Sequence, residues 1–324
     1  MALVKLYLGV LLCAPLALAA GIAEVIAQTP ELSTLNSILT TDHPDLLAEL
    51  NATAGTFFAP SNDALNAFIS AADPNQLTAE VLKDLVNYHL SPTTLSAADL
   101  GQAGGKIAET KLSDPAFANL GGPANVVYAS AYGSTGQDAA PGPLKVYSGI
   151  GGESTVTNPD IQYDGGLMHV IDRVLDFPQS CTTTMQAKSL TTLLDAVKRT
   201  NYADTIDLPA KFTCLAPTNE AIQGAGIDIS ALSDQQVLDA LKYHSIPGEV
   251  DYSTVLEDGK EYPTLLGPTV KVHKKDGQLY FNDVAVQQGN IITNNGVAHV
   301  LSGVLISPTD AWATTTAVDT ATTI

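Results

Sequence analysis

The stretch TFFAPSNDA at residues 56–64 returns at residues 212–221 as FTCLAPTNEA. In each copy a short apolar run ends at Ala-Pro, and Ser61 or Thr218 stands where a hydroxyl can cap the helix that follows. The acidic side chains of Asp63 and Glu220 lie near the start of that helix, where they interact favourably with the positive end of its dipole. The repeat therefore predicts the same strand-to-helix unit twice in one chain.

Two further boxes repeat in the same order. LVNYH at residues 85–89 returns as ALKYH at residues 240–244, and DGGLMHVI at residues 164–171 returns as NGVAHVL at residues 295–301. A chain of 324 residues has room for two domains of ordinary size. Three ordered matches therefore predict two tandem copies of one domain.

Helical patterns come first in each copy. Leucines near helical spacing mark residues 32–50 and 190–197. A later helix is expected to follow Thr78 in the first copy and Ser233 in the second, where Gln236 completes a capping box. The helices thus precede the strands, which predicts an α+β fold.

Strand patterns follow. Alternation through residues 270–273 and 279–281, around Asp276-Gly277, predicts a β-hairpin, and residues 300–306 predict a last strand. The first copy is longer between its second and third boxes. That excess, within residues 101–152, is rich in Gly, Ser and Pro and predicts enlarged surface loops.

These boxes resemble the fasciclin domain family, over residues 30–178 and 184–308 with a linker near 178–184. The resemblance implies two tandem fasciclin-like domains, each a twisted β-sandwich-like wedge flanked by α-helices. It also implies an extracellular adhesion or matrix role. The first copy departs from the family pattern, because residues 164–166 read Asp-Gly-Gly where the family favours Asn-Gly.

The resemblance also implies candidate partner-binding residues. In animal matrix relatives, receptor contact is associated with the Tyr-His region and with an Asp-Ile pair before the third box. The matching residues here are Tyr88, His89, Asp160, Ile161, Tyr243 and His244. In the second copy the pair is Asn290-Ile291 and lacks the acid. Each histidine sits in an apolar stretch, so a hydrogen-bonded ring that completes the core is the expected role.

The ends of the chain point to export. Lys5, the apolar run of residues 6–18 and a small-residue cleavage site predict a signal peptide at residues 1–19. Residues 309–324 form a threonine-rich tail, and Asn51-Ala52-Thr53 is a sequon for N-glycosylation. We therefore expect a secreted protein of the cell surface, wall or matrix.

The mature chain keeps two cysteines, Cys181 and Cys214. In an oxidising compartment a disulfide between them is expected, worth about 3–4 kcal/mol on the chain-entropy model. Two buried thiols are the alternative.

Several classes of function are disfavoured. The net charge of −19 repels nucleic acid and anionic membranes. No histidine or cysteine spacing suits a metal, and no Gly-x-Ser-x-Gly occurs. Residues 101–106 superficially resemble a phosphate loop, but Leu100 replaces its first glycine and Ile107 its hydroxyl.

The sequence therefore predicts a binding protein without cofactor or catalysis, whose partner is a glycan or protein of the cell surface, wall or matrix. The alternative is an extracellular carrier of a lipid or other apolar ligand. That alternative predicts a sizeable apolar pocket.

Overall fold

Two seven-stranded sheets organise residues 20–309, the part of the chain that the computed structural model describes. The predicted signal peptide at residues 1–19 and all but the first residue of the threonine-rich tail at 309–324 lie outside these residues. Helices precede most strands in each half, so the predicted α+β fold of two tandem domains is confirmed. Within residues 20–309, no helix has the length and apolar character to cross a bilayer.

Domain 1 builds its sheet in the order β2-β1-β7-β6-β5-β4-β3, and only β1 and β7 run parallel. Its helices are α1 (Ile22–Gln28), α2 (Ser33–Ser37), α3 (Pro44–Asn51), α4 (Asn62–Ala71), α5 (Ala79–Tyr88) and α6 (Ala97–Leu100). Its strands are β1 (Gly55–Pro60), β2 (Leu90–Ser91), β3 (Lys106–Glu109), β4 (Val126–Ser130), β5 (Lys145–Tyr147), β6 (Glu153–Tyr163) and β7 (Gly166–Ile171).

Domain 2 repeats this topology, and its order β9-β8-β14-β13-β12-β11-β10 again has one parallel pair, β8 and β14. Its helices are α7 (Cys181–Ala187), α8 (Thr191–Arg199), α9 (Ala203–Asp207), α10 (Asn219–Gly224) and α11 (Asp234–Tyr243). Its strands are β8 (Phe212–Pro217), β9 (Ser245–Pro247), β10 (Glu261–Pro263), β11 (Thr269–Lys275), β12 (Gln278–Phe281), β13 (Val284–Thr293) and β14 (Gly296–Leu301).

The parallel pair joins the first and third sequence boxes. Phe58 pairs with His169 in domain 1, and Leu215 with His299 in domain 2. The strands start so close together that a Cβ on Gly166 would lie 1.8 Å from the Gly55 carbonyl oxygen. Only glycine fits such a close backbone approach, which explains why β7 and β14 both begin with a glycine, Gly166 and Gly296.

Local signals in the sequence are confirmed. The Ser61 hydroxyl accepts from the Ala64 amide, and Ser233 forms its capping box with Gln236. The predicted hairpin is β11–β12, and its turn residues Asp276 and Gly277 have φ of 52° and 76°, as a type I′ turn requires.

Three expectations differ from the structure. The helical pattern of residues 32–50 breaks before α3, because Pro44 cannot continue a helix. The strand expected at residues 300–306 ends at Leu301, since the Leu305 amide donates to a histidine ring instead of a neighbouring strand. Three strands, β3 to β5, cross the glycine-rich residues 101–152, and the loops lie between them.

Each domain core begins earlier than the sequence boundaries suggest. Ile22 and Ile26 of α1 pack in the helical core of domain 1, ahead of residue 30. Cys181 of α7 packs in the helical core of domain 2, ahead of residue 184. Both domains therefore include one more short helix than the repeated boxes indicate.

Candidate functional site

The two Tyr-His boxes end helices α5 and α11, and their histidines are buried. His89 Nδ1 donates to the Leu85 carbonyl (2.8 Å), while its Nε2 accepts from the Leu175 amide (3.0 Å). His244 repeats both bonds with Ala240 and Leu305, at the same two distances. A ring that donates at one nitrogen and accepts at the other is neutral, and burial lowers the pKa of each histidine to about 4.

The tyrosines of these boxes are equally enclosed. The Tyr88 hydroxyl donates to the Val126 carbonyl at 3.2 Å, and the Tyr243 hydroxyl to the Thr269 carbonyl at 3.0 Å. The exposed fractions of Tyr88, His89, Tyr243 and His244 are 0, 3, 1 and 5 %. The two histidines thus have the hydrogen-bonded core role expected from their apolar stretches, and both tyrosines are buried in the same way, so none of these four candidate partner-binding side chains is open at the surface.

Asp160 and Ile161 lie at the surface of domain 1, on a bulge where β6 loses register with β7. Asp160 has φ of 57°, a left-handed conformation that Asp and Asn tolerate. Its Oδ1 accepts from the Ala97 amide at 2.8 Å, and the residue is exposed. Ile161 is half-buried against the domain core. Of the six candidate residues, this pair alone reaches solvent to a substantial degree.

The same bulge in domain 2 is covered by domain 1. Asn290 has φ of 52° and is 0 % exposed. Its Oδ1 accepts from the Ser253 amide at 2.8 Å, and its Nδ2 donates to the Ser134 carbonyl at 2.7 Å. Ser134 belongs to the loop between β4 and β5, which we call the docking loop (residues 131–144). A glycine-rich loop expected on the surface thus packs on the second domain.

An apolar cluster and a belt of amides join the two domains. The cluster contains side chains from both domains: Val126, Tyr128, Tyr147, Tyr252, Ile292 and Val297. Around it, Asn125 Nδ2 donates to the Thr293 carbonyl (3.1 Å) and Asn119 Nδ2 to the Leu208 carbonyl (3.0 Å). Buried apolar contact and these hydrogen bonds between the domains hold the two domains in one arrangement.

A polar cleft of about 1040 Å³ opens beside this interface and is lined by both domains. Its lining is rich in hydroxyl, amide and charged groups, among them Ser134, Lys145, Arg173, Lys188, Asn219 and Gln288. We call it the interdomain cleft. Because its walls come from separate repeats, it exists only while the domains are docked.

Most charges in the interdomain cleft are paired within the protein. Lys145 bonds Glu153 at 2.7 Å, and Arg173 bonds Asp176 at 2.8 Å. Burial raises the pKa of Asp176, and the arginine opposes that shift. Lys188 has no ion pair within residues 20–309 and is half-buried. It is the cation of the cleft most available to a ligand.

The rim of the interdomain cleft carries a backbone outlier. Ile150 has φ of 49°, which is costly for a β-branched side chain. The carbonyl of the next residue, Gly151, accepts a long hydrogen bond of 3.5 Å from Gln288 Nε2. A Cβ placed on Gly151 would lie 3.0 Å from Lys188 Nζ. Strained backbone of this kind concentrates at ligand-binding positions, because the surrounding structure must hold it in place.

The chemistry of the interdomain cleft is that of hydrogen bonding. The lining offers amide, hydroxyl and ion-paired groups, while the four box histidines lie in the domain cores. Within residues 20–309, no three His, Cys, Asp or Glu side chains gather as metal ligands. The arrangement suits a polar ligand with many hydroxyl groups.

Domain 2 also contains an apolar cavity, lined by helices α8, α10 and α11 and including Leu193, Ile222 and Leu241. Its volume is about 50 Å³. Pockets for ligands of drug size span roughly 300–1,000 Å³. This cavity is therefore too small for the lipid or sterol that the carrier alternative requires.

The expected disulfide is absent from the structure, which contains the alternative of two buried free thiols, Cys181 and Cys214. A hydrogen bond with Cys214, together with burial, raises the pKa of the Cys181 thiol well above its usual value. The thiols touch because α7 packs on β8 in the same core. Asn51, the sequon residue, is exposed at the end of α3, and its glycosylation remains a prediction.

Sequence reasoning missed the interdomain cleft. Lys145, Lys188 and Gln288 belong to none of the repeated boxes, although Asn219 and Glu220 of the first box also line the cleft. One signal was present: the extra length of the first copy includes the docking loop, whose Ser134 lines the cleft. An insertion in one of two repeats marks a place where the copies differ in their surroundings.

Two curated relatives match this chain across both domains, and a third matches a part of it. The fasciclin-like arabinogalactan protein of Arthroderma benhamiae is 30 % identical over 305 residues, covering 92 % of this chain and 69 % of the relative. The fasciclin-like arabinogalactan protein elcF of Phaeosphaeria nodorum is 28 % identical over 301 residues, covering 92 % of each chain. Human periostin is 30 % identical over 146 residues, covering 44 % of this chain and 18 % of periostin.

Among solved structures, the FAS1 domain pair of the insect cell adhesion molecule fasciclin I aligns with a TM-score of 0.42 and 17 % identity, covering 86 % of this chain and 98 % of that one. A sequence model of the Fasciclin domain matches residues 30–178 and 188–307. The two ranges matched by the Fasciclin model span most of the chain and contain all three repeated boxes, so this protein belongs to the fasciclin domain family.

Proposed function

We propose that this protein is a secreted adhesion protein that binds a component of the cell surface, wall or matrix and performs no catalysis. The observation that carries the proposal is the interdomain cleft, a polar groove of about 1040 Å³ built by both domains. Relatives that match 92 % of the chain are named fasciclin-like arabinogalactan proteins. The signal peptide expected at residues 1–19 is consistent with export.

A glycan is the partner that best fits the interdomain cleft. Sugar hydroxyls both donate and accept, and the amides of Gln287 and Gln288 on the cleft wall each present a donor and an acceptor side by side. The ammonium of Lys188 adds donors that no carboxylate of the described chain neutralises. The volume exceeds that of a typical small-molecule pocket, so an oligosaccharide segment would fit.

Asp160 and Ile161 form a second candidate contact, in domain 1 alone. Asp160 keeps one carboxylate oxygen on the Ala97 amide and remains exposed. The equivalent position in domain 2 is buried against the docking loop. A protein partner that uses this bulge would therefore bind one domain of the pair.

The test is a binding screen of the purified secreted protein against immobilised neutral and acidic glycans and matrix proteins. The variant Lys188→Gln/Gln288→Ala removes two ligand groups from the interdomain cleft, and Lys198→Gln/Gln235→Ala changes the same residue types at exposed helical positions. We expect the cleft variant to bind about tenfold more weakly, through loss of about 1.4 kcal/mol.

The control variant should match the wild type. Equal binding by the cleft variant and the wild type would place the contact outside the interdomain cleft. Absence of saturable binding to any wall or matrix component would contradict the adhesion function itself.

A further inference from the structure

A second, smaller cleft lies where the glycine-rich turn before β3 meets domain 2. Its volume is about 400 Å³. We call it the basic cleft, and its polar lining comprises Gln102, Lys106, Ser253, Thr254 and Lys274. The turn, residues 101–106, is the segment that superficially resembles a phosphate loop, and no part of the proposed function above uses it.

The lining of the basic cleft is positively charged, whereas the chain as a whole is negatively charged. The protein carries a net charge of −19, yet this lining contains two lysines and no Asp or Glu. Lys106 makes no ion pair within residues 20–309. The carboxylate of Asp99, whose pKa is lowered mainly by its hydrogen bonds to Ser96 and only slightly by Lys106, forms a capping box with Ser96. Lys106 is therefore a cation without a partner charge.

Lys274 is more constrained. Its Nζ donates to the Ser253 carbonyl at 2.9 Å, and burial lowers its pKa. Asp258 partly opposes that shift, but its carboxylate accepts from the Lys274 backbone amide and not from the ammonium. The Lys274 ammonium is half-buried and its protein partner is a neutral carbonyl. Its charge is therefore not neutralised by that partner, and it can form a charge-assisted hydrogen bond with an anion.

Both walls of the basic cleft are held in place by the domain interface. The Tyr128 hydroxyl donates to the Gly104 carbonyl at 3.2 Å, and the Gly104 amide donates to Gly136 of the docking loop at 3.1 Å. On the other wall, Asn290 Oδ1 accepts from the Ser253 amide. The lysines therefore project from backbone that is already ordered, which lowers the entropy cost of binding.

We propose that the basic cleft binds the carboxylate or sulfate group of an acidic oligosaccharide through the ammonium groups of Lys106 and Lys274 and the hydroxyl of Thr254. The inference rests on the proposed function, because it names an acidic sugar as the partner class. A long polyanion is repelled by the net charge, whereas the ~8 Å screening length at physiological salt shields the few charges of a short oligosaccharide in the cleft from distant carboxylates. The ligand is thus a short acidic oligosaccharide.

The experiment is a calorimetric titration with trigalacturonate, its fully methylated ester and inorganic sulfate, at low and physiological salt. We expect trigalacturonate to bind and the ester to bind at least about tenfold more weakly, since only the acid offers charge-assisted hydrogen bonds. Affinity should fall as salt rises. Equal binding of acid and ester would overturn the inference, and so would sulfate that binds as tightly as the oligosaccharide.

Variants separate the basic cleft from other sites. Lys106→Gln and Lys274→Gln should each weaken trigalacturonate binding about tenfold, and Lys271→Gln, an exposed lysine on the same strand as Lys274, should leave it unchanged. Lys106→Gln breaks no hydrogen bond of the fold, so its unchanged affinity would refute the site even if Lys274→Gln proved unstable.

The two proposals fail in different ways. Binding of a wall or matrix partner that depends on Lys188, without binding of trigalacturonate, would overturn the basic cleft and leave the adhesion function intact. Binding of trigalacturonate without any wall or matrix partner would overturn the adhesion function and leave the basic cleft standing.

Discussion

Asp160 and Asn290 occupy the same bulge in the two domains, and their surroundings differ completely. Both have positive φ, and both accept a backbone amide through Oδ1, from Ala97 or Ser253. Asp160 then faces solvent, whereas Asn290 donates through Nδ2 to the Ser134 carbonyl of domain 1. At this bulge both domains thus use a short side chain whose Oδ1 accepts a hydrogen bond. The other terminal atom differs: it is the exposed Oδ2 in Asp160, and in Asn290 it is Nδ2, which can donate to domain 1.

The histidines of the third box show the same division. His169 donates through Nε2 to the Leu95 carbonyl (2.9 Å) and accepts at Nδ1 from the Asp160 amide (3.2 Å). His299 keeps the first bond, to the Asp251 carbonyl, but its Nδ1 has no partner within residues 20–309. In domain 2 the adjacent Gly289 amide donates to the Ser134 hydroxyl of the docking loop. In domain 2 the bulge therefore gains hydrogen bonds to the docking loop, and it lacks the histidine Nδ1 bond that domain 1 has.

The largest expected effect tests what the domains share. His89→Ala and His244→Ala each leave a buried amide and a buried carbonyl without a partner and open a cavity. We expect each to lower the free energy of unfolding by about 3–4 kcal/mol. Urea unfolding measures this, with the more exposed His273→Ala as the control. A cost in one domain only would show that the two boxes are not equivalent.

The next prediction exchanges the bulge residues. Asn290→Asp places a buried carboxylate against the Ser134 carbonyl and should cost about 2–3 kcal/mol at pH 7.5. Asp160→Asn keeps the acceptor at an exposed site and should change stability by less than about 0.5 kcal/mol. Because burial would raise the pKa of the new carboxyl, the cost of Asn290→Asp should shrink at pH 4.5. Equal costs for the two exchanges would contradict the docking argument.

Acid should weaken both domains through their buried histidines. The pKa of His89, His244 and His299 is lowered to about 4 by burial, so the unfolded chain takes up protons first as the pH falls below about 6.5. We expect each histidine to remove about 2 kcal/mol of stability between pH 7 and pH 5. Asp251, whose pKa burial raises to about 6, acts in the opposite sense over this window.

Urea unfolding at both pH values measures the acid effect. His89→Gln and His244→Gln, one in each domain, should reduce the pH dependence by equal amounts. An unchanged pH dependence in either variant would show that its histidine is not the titrating group.

The smallest effect concerns the docking loop. Ser134→Ala removes the hydroxyl that accepts a hydrogen bond from the buried Gly289 amide at 3.0 Å. The hydrogen bond from Asn290 Nδ2 to the backbone carbonyl of residue 134 is kept. We expect a loss of about 1 kcal/mol and faster hydrogen exchange at β13, with Ser70→Ala on exposed α4 as the control. Unchanged exchange at β13 would mean that the hydroxyl bond does not hold the loop.

Much of each domain could be predicted from the sequence, and particular residues show why. Ser61, Thr218 and Ser233 cap helices, and Asp276-Gly277 turns a hairpin, because these bonds join neighbours in the chain. The candidate contacts were harder to predict. The apolar stretch around each Tyr-His pair predicts a core role for the histidine, but the pattern also allows a side chain that faces a partner, and the burial of all four side chains selects the core role.

By itself, the sequence determined that one α+β domain occurs twice, where its caps and turns lie, and that the chain is strongly acidic. These features follow from repetition, local hydrogen bonding and composition. The tertiary structure alone decided that the docking loop covers Asn290 and that the two clefts form between the domains. Those features depend on side chains far apart in the chain, whose positions are set by the packing of one domain on the other.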